Sequence, residues 1–258
     1  MFPRESQPGW QAATRGQTDS CRSGPPSPAT DEVWWVWECG PTPASENMAW
    51  DEALLWSVLD LGRPVLRFYA WSEPAASFGY FQQYSDVLQR TSLRPLVRRP
   101  TGGGLVPHDA DWTYAVAIPP GHEWYKLRAE ASYQRVHTWV RAALERLGLP
   151  THLAPEPRTV QPGCCFEGHE RYDLLWQGRK VAGAAQRRTR TGLLIQGSVQ
   201  PPASLAGMRP AWHRAMQAVA QLNWRVDWQP FVPPSAVAAT MQTLLESKYS
   251  RPEYHQRR

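Results

Sequence analysis

The segment DWTYAVAI, residues 111–118, alternates between large and small side chains. Because side chains two residues apart share one face of a β-strand, this alternation predicts a strand with one large apolar face. That face has to be covered by other elements, so the strand is expected inside a sheet with a packed layer against it. The large side chains are Trp112, Tyr114, Val116 and Ile118.

Two longer segments have the spacing of amphipathic helices. We predict one helix over residues 46–60, with Ser45 as its N-cap. A second helix is predicted over residues 129–147, where apolar side chains recur every three or four positions before Gly148 and Pro150. One stripe of the first helix is apolar except for a single acid: Met48, Glu52, Leu55 and Leu59.

Short apolar runs bounded by turn residues predict further strands. They are a run containing Trp34, Trp35 and Trp37, then PVLRFYAW (64–71), AASFGYF (75–81), YDLLW (172–176), KVAGAAQRR (180–188) and LLIQGSV (193–199). A Pro-rich crossover and one helix near residues 235–248 are expected after them. Because strands and helices alternate without a βαβα rhythm, the predicted class is α+β, a mixed β-sheet with flanking helices.

The chain is predicted to divide into a tail and one domain. Residues 1–32 are rich in Pro, Ser, Gly and polar residues without apolar periodicity, which favours a disordered N-terminal tail. Residues 33–258 are predicted to form a single domain, on which residues 200–258 pack as a C-terminal extension.

Charge and composition narrow the function classes. The formal net charge of +5 is mildly basic and far from a polybasic nucleic-acid tail, so no nucleic-acid partner is predicted. No apolar stretch approaches the roughly 18 residues that span a bilayer, and the N-terminus lacks the apolar region of a secretory signal. The four cysteines form no C-x-x-C pair, and no metal site is predicted. We therefore expect a soluble, reduced, cytoplasmic protein without a membrane partner.

The segment RRPTGGGLVPHD, residues 98–109, is a candidate ligand loop. Its three glycines let the backbone approach a ligand closely, and the two preceding arginines add charge for a phosphate or a carboxylate. The spacing of a Walker loop is missing. The alternative is a glycine-rich turn with exposed arginines. Next to it, His108 and Asp109 are either a base with its orienting acid or a structural pair.

Cys165 is a candidate nucleophile. A thiol reacts as its thiolate, which a nearby cation stabilises, and Lys180 or His169 could supply that cation. On a strand Lys180 shares a face with Ala182 and Ala184, and such small neighbours leave room for a bound chain. The alternative is an inert buried cysteine, and the adjacent Cys164 leaves the assignment open.

Taken together, these motifs resemble the biotin/lipoate A/B protein ligase family. RRPTGGGLVPHDADWTY is followed about 55 residues later by CFEGHERYDLLWQGRKVAGAAQRR and LLIQGSV, and upstream ENMAWDEALL and LRFYAWSEPAASFGYFQ resemble the opening helix and strands of that family. The resemblance covers about residues 33–200. It implies a mixed sheet of the class II synthetase and biotin-protein-ligase type.

Within that family, the Cys-Phe pair and GRKVAGAAQR look most like lipoate-ligase-like octanoyltransferases. The resemblance implies that Cys165 takes octanoyl from acyl carrier protein as a thioester and that Lys180 contacts the acyl carbonyl and favours the thiolate. The octanoyl group then passes to a lysine of a lipoyl-domain protein, such as the glycine cleavage H protein, without a cofactor. The residues implied to bind the substrate are Arg99, Thr101, Gly102, Gly103, Gly104, His108, Gly183 and Ala184.

Departures from the family pattern keep two alternatives open. Cys164 is extra, and Ala184 stands where serine is frequent. The first alternative is an ATP-dependent lipoate-protein ligase using ATP and Mg, whose glycine loop would hold an acyl-adenylate. Against it, Asp111 and Trp112 stand where the ATP-using ligases usually carry Gly-Asn. The second alternative is a non-catalytic module that binds acylated carrier proteins or nucleic acid.

Overall fold

The computed structural model describes residues 32–158 and 168–257. Its strands, in chain order, are β1 (Glu32–Thr42), β2 (Val65–Trp71), β3 (Ala75–Phe78), β4 (Leu96–Arg98), β5 (Val106–His108), β6 (Trp112–Ile118), β7 (His152–Leu153), β8 (Leu174–Trp176), β9 (Arg179–Arg188), β10 (Leu193–Val199) and β11 (Val226–Pro230). Its α-helices are α1 (Ala44–Leu61), α2 (Tyr84–Arg90), α3 (Glu123–Lys126), α4 (Ala129–Glu145), α5 (Arg209–Trp224), α6 (Ser235–Leu244) and α7 (Pro252–Gln256).

Within the described ranges, the strands form a mixed sheet of eight strands and a small sheet of three. The order in the large sheet is β11-β1-β2-β6-β10-β9-β8-β7, and in the small sheet β4-β3-β5. β1 is parallel to both β2 and β11, whereas the pairs from β2–β6 through to β8–β7 are antiparallel. The predicted α+β class with a mixed sheet and flanking helices is confirmed.

The two faces of β6 belong to two different cores. The core on one face contains the large side chains of β6 together with α4 and α5: Trp112, Tyr114, Val116 and Ile118. On the other face, Ala115 and Ala117 pack with α1 and α6. The predicted alternation therefore sets which helices cover each face, because large residues fill the first core and small ones let α1 approach the second.

The two predicted long helices are present, with corrections to the first. α1 starts at Ala44 with Pro43 as its N-cap, so the predicted N-cap Ser45 is wrong and lies inside the first turn. The fixed φ of proline suits a helix start. The predicted stripe is buried at Met48, Glu52 and Leu55, but Leu59 is exposed, and the neighbouring Val58 is the buried residue at that end of α1.

The chain after residue 200 differs from the prediction of a crossover with one helix. α5 and β11 were both missed, while the helix predicted near residues 235–248 is confirmed as α6, followed by a π-helical turn, Leu245–Tyr249. The signal for α5 was present: Pro210 in its first turn and buried apolar residues at a spacing of three or four. Those residues are Trp212, Ala215, Met216, Val219 and Ala220.

Candidate active site

A pocket lies where the small sheet faces β9 and β10. Six residues predicted to serve the site line it: Arg99, Gly103, His108, Lys180, Gly183 and Ala184. Other walls come from α1, β2, β3, β5, β6, β9 and β10: Met48, Tyr69, Trp71, Ser77, Val106, Thr113, Ala185, Gln196, Gly197 and Ser198. The folding of distant segments therefore places the glycine loop opposite Lys180.

Lys180 forms a buried ion pair in the pocket wall. Its Nζ lies 2.7 Å from Oδ2 of Asp173, and the two side chains are 6% and 0% exposed. Asp173 is held in turn by the Tyr133 hydroxyl, which donates to Oδ1, and by the backbone N–H of Glu170, which donates to Oδ2 at 2.7 Å. The ammonium therefore has a fixed position, since a carboxylate held by several donors cannot follow it elsewhere.

Gly183 makes room for this lysine. A Cβ on Gly183 would lie 2.6 Å from Cε and 2.7 Å from Nζ of Lys180, which is closer than carbon atoms pack. The side chain of Lys180 therefore crosses the strand directly over the glycine. Of the two alanines predicted to share its face, Ala184 lines the pocket, whereas Ala182 packs in the core with α4 and α5.

The segment that carries Cys165 adjoins this ion pair in the sequence. Cys165 and Cys164 lie in residues 159–167, outside the described residues, so the predicted nucleophile stays a prediction. The residues that flank this segment, Arg158 and His169, exchange backbone hydrogen bonds of 2.7 and 2.9 Å. Glu170, whose backbone N–H donates to Asp173, directly follows His169 in the described part of the chain.

His108 is fixed by two polar partners and one aromatic ring. Its Nδ1 lies 2.9 Å from Oδ2 of Asp111, its Nε2 lies 2.6 Å from Oγ of Ser77, and its ring stacks on Trp71 at 3.9 Å. The predicted orienting acid Asp109 is therefore wrong: it is exposed, while Asp111 is buried. Because the chain turns between β5 and β6, the acid three residues on returns to the imidazole.

The two arginines before the glycine loop are buried, which overturns the alternative of exposed arginines. Arg99 donates to Oγ of Ser77 at 2.9 Å and to the carbonyls of Gly102 and Gly104 at 2.9 and 2.8 Å. Arg98 donates to backbone carbonyls, including that of His255 at 2.7 Å. Arg99 thus holds the backbone of the glycine loop, whereas Arg98 connects the chain after β3 to the C-terminal helix α7.

Thr101, Gly102 and Gly104 support the pocket without being among its lining residues. The Thr101 hydroxyl donates to Oε1 of Gln196 at 2.7 Å, and Nε2 of Gln196 donates to Oδ2 of Asp51 at 2.7 Å. The predicted substrate contacts of these three loop residues stay predictions. Their observed partners show that the loop is tied to β10 and α1.

Sequence reasoning missed a buried polar network beneath the pocket. Arg67 pairs with Asp51 at 2.7 Å and also donates to Asn47 and to Sγ of Cys39. The Tyr69 hydroxyl donates to Asp51 at 2.9 Å, and burial raises the pKa of Tyr69. A signal existed in the polar residues inside the apolar pattern of α1, because buried charges require partners.

The described part of the chain is expected to have no metal site, and its candidate metal ligands and its helices bear on that expectation and on membrane spanning. In residues 32–158 and 168–257, no group of three or more His, Cys, Asp or Glu side chains is placed to hold a metal ion. Over the same ranges, the helices are too short or too polar to cross a bilayer.

The fold and the site define the class of protein: an α+β domain whose pocket, between a glycine loop and a central sheet, contains a buried lysine–aspartate pair. Residues 43–222 match the family model of the lipoyl protein ligase A/B catalytic domain. The chain therefore belongs to that family, and the resemblance inferred from its motifs is confirmed.

Curated relatives share about a third of their aligned residues with this chain. An octanoyltransferase named LipM from Oceanobacillus iheyensis is 37% identical over 174 residues, which are 65% of this chain and 64% of the relative. Octanoyltransferase LipM of Staphylococcus aureus is 35% identical over 182 residues, 65% of this chain and 66% of the relative. The chain thus spans about 65% of the length of the curated relatives that it matches.

Solved structures share the fold at lower identity. A lipoate-protein ligase A bound with ATP superposes with a TM-score of 0.70 at 19% identity, covering 87% of this chain and 98% of the other. A bi-partite lipoate protein ligase from Thermoplasma acidophilum superposes with a TM-score of 0.66 at 19% identity, covering 88% and 96%. These matches establish the fold.

Proposed function

We propose that this protein is an octanoyltransferase that moves an octanoyl group from acyl carrier protein, through a thioester on Cys165, to a lysine of a lipoyl-domain protein. The observation that carries the proposal is the buried pair of Lys180, a pocket residue on β9, and Asp173, which directly precedes β8 in the chain after the Cys165 segment. The relatives named octanoyltransferase LipM support the choice of acyl group.

The pocket suits an acyl chain. Its walls include Met48, Trp71 and Val106 together with the small residues Ala184 and Ala185. Burial of an octanoyl chain against such walls contributes about 0.8 kcal/mol for each methylene removed from water. Arg99 and His108, both held by Ser77, would set the polar end of the site.

The proposed reaction has two transfers. The Cys165 thiolate adds to the thioester carbonyl of the donor, and the tetrahedral intermediate collapses with loss of the carrier thiolate, leaving octanoyl on Cys165. The neutral amine of the acceptor lysine then attacks that carbonyl, and the Cys165 thiolate leaves as the amide forms. The proton that the amine loses passes to solvent, from which the carrier thiolate takes one up, so the net products are an amide and the carrier thiol. Because an amide is more stable than a thioester, neither ATP nor another cofactor is required.

Lys180 would act in both transfers. Its ammonium, fixed by Asp173, would stabilise the thiolate and the oxygen that becomes negative in each tetrahedral intermediate. A preorganised cation is effective here because it does not have to reorient as the charge develops. This chemistry needs a reduced thiol, which fits a cytoplasmic location.

Transfer without nucleotide tests the proposal. Octanoyl-acyl carrier protein and a lipoyl domain should give octanoylated acceptor in the absence of ATP, and intact mass should show an octanoyl adduct on the enzyme. The Cys165→Ala variant should lose both adduct and product, whereas Cys164→Ala should retain them as the matched control. An adduct that is lost in Cys164→Ala and kept in Cys165→Ala would place the nucleophile at the other cysteine.

The same assay separates the alternative functions. An ATP-dependent ligase would release pyrophosphate from ATP with free lipoate or octanoate, and its lipoylation activity would survive Cys165→Ala. That result would replace the transferase proposal with the ligase. Binding of acylated carrier protein without any acyl turnover would instead identify a binding module.

A further inference from the structure

The C-terminal segment completes a cluster of cations and aromatic rings beside the glycine loop. Five residues form it, and we call them the cationic rim: Tyr80, Phe81, Arg187, Lys248 and Arg257. Lys248 and Arg257 come from chain beyond residue 222, where the family match ends. Lys248 and Arg257 are therefore features that the family match does not account for, whereas Tyr80, Phe81 and Arg187 lie within the matched residues.

Contacts join the rim into one surface. The Arg257 guanidinium lies 4.3 Å from the centre of the Tyr80 ring and 4.6 Å from that of Tyr254, and Lys248 Nζ lies 4.7 Å from the Tyr254 ring. Arg187 lies 5.6 Å from the same Tyr80 ring. The guanidinium of Arg257 also donates a hydrogen bond to Tyr80, which lowers the pKa of the phenol.

The rim adjoins the pocket through the glycine loop. The Tyr80 N–H donates to the Thr101 carbonyl at 2.9 Å, and Arg187 donates to the Pro100 carbonyl at 3.4 Å. Arg187 also lies two residues beyond the pocket residue Ala185, on the same face of β9. A molecule seated on the rim would thus lie next to the loop that forms one pocket wall.

The rim carries more positive than negative charge. Glu52 is the carboxylate at its centre: it is 1% exposed, pairs with Lys248 and Arg187, and accepts from the Tyr249 hydroxyl at 2.6 Å. The rim therefore has three cations and one buried carboxylate, which pairs with two of them. Glu246, Arg251 and Glu253 lie on the same segment outside the rim, and the patch remains positive when they are included.

The rim also presents an exposed apolar side chain. Phe81 is 71% exposed, beside the half-buried Tyr80. Aromatic residues and arginine are enriched at protein interfaces, because they combine apolar area with hydrogen-bonding or charged groups.

We propose that the cationic rim is the docking surface for the acyl donor, an acidic carrier protein that presents its acyl group on a phosphate-linked arm; this inference rests on the proposed function. The positive charge of the rim favours the acyl donor over the acyl acceptor as its occupant. The donor brings a phosphate at the base of its arm, which the rim attracts, whereas the acceptor brings a lysine ammonium, which the rim repels.

Charge reversal at Arg257 tests the proposal with two octanoyl donors. Arg257→Glu should lower kcat/KM for octanoyl-acyl carrier protein about tenfold, through KM, and should flatten its dependence on salt. With octanoyl-N-acetylcysteamine, which has neither protein nor phosphate, the rate should not change. The matched control is Arg146→Glu, an equal change of charge at the end of α4 on the other face of the sheet, which should leave both rates unchanged.

A second pair of variants tests the apolar part of the surface. Phe81→Ser should weaken binding of the carrier protein, measured directly by fluorescence anisotropy. Leu222→Ser should not, although Leu222 on α5 is equally exposed at 72%. This measurement does not depend on transfer, so it separates the docking surface from the proposed reaction.

Each other outcome is decisive. Equal losses with both donors would show that Arg257 is structural, and a raised KM for the lipoyl domain instead would assign the rim to the acceptor. Either result overturns the proposal, as does binding of carrier protein that Arg257→Glu and Phe81→Ser leave unchanged. Binding that depends on Arg257 without any transfer would support the surface and contradict the proposed reaction.

Discussion

Two buried ion pairs in this molecule share a geometry and differ in surroundings. Arg67–Asp51 and Lys180–Asp173 both have an N–O distance of 2.7 Å, and the exposure of their four side chains does not exceed 6%. Arg67 lies beneath the pocket, bonded to Asn47 and Cys39 besides its acid. Lys180 is part of the pocket wall. Location relative to the cavity, rather than the geometry of the pair, therefore separates a stabilising pair from one available to a substrate.

Removing the cation of the deeper pair should have the largest effect. Arg67→Met leaves Asp51 charged and buried without its main partner, so the free energy of unfolding should fall by about 3–5 kcal/mol. Urea denaturation measures this change. Arg67→Lys, which keeps a charge, should recover part of the loss; equal stability of Arg67→Met and the native chain would show that the pair contributes nothing.

At the pocket pair, a substitution that keeps the charge should lower the activity, whereas at the deeper pair it should recover part of the stability. Lys180→Arg places a bulky planar group where the ammonium crosses Gly183, so the acyl carbonyl loses its donor. Transfer should slow about 100- to 1,000-fold, in the range seen when one oxyanion donor is removed, with little change in stability. Single-turnover acylation of the enzyme measures the rate. A near-normal rate would show that Lys180 has a structural role and does not contact the acyl carbonyl.

Acid should weaken the region around Lys180 through His137. Burial lowers the pKa of this imidazole from 6.5 to about 4. Between pH 6.5 and 4 the unfolded chain therefore binds a proton that the folded chain does not. As the pH is lowered through this window, the free energy of unfolding decreases by about 3 kcal/mol. Urea denaturation at several pH values measures it, and His137→Phe should flatten the curve. Parallel curves for the two proteins would contradict the assignment.

The smallest expected effect is that of one methyl group. Gly183→Ala places a Cβ 2.6 Å from Cε of Lys180, so the lysine has to move away from Asp173. Transfer should fall about tenfold, a cost of about 1.4 kcal/mol in the transition state, while the melting temperature changes little. Gly121→Ala is the control, because its Cβ would meet no atom within 4 Å. Equal rates for the two variants would exclude the steric role of Gly183.

The sequence predicted local patterns well because those patterns depend on nearby residues. The alternation in β6, the spacing in α4 and the motif around Lys180 are all local. The partners of the site residues were not predictable in the same way. Asp173 meets Lys180 across neighbouring strands with an irregular register, and Asp111 replaces Asp109 through a turn. Cys165 remains a prediction, since it lies outside the described residues.

The parallel pairing of β11 with β1 determines how far the chain can be truncated from its C-terminal side without exposing β1. β11 lies beyond residue 222, and its pairing runs from Glu32 to Val36 of β1. A chain ended where the family match ends would leave that side of β1 with unpaired N–H and C=O groups along an open sheet edge. Such an edge is a template for strands of other molecules, whereas β11, the edge strand of the full sheet, has only five residues and ends in Pro230, two features that disfavour pairing with another chain.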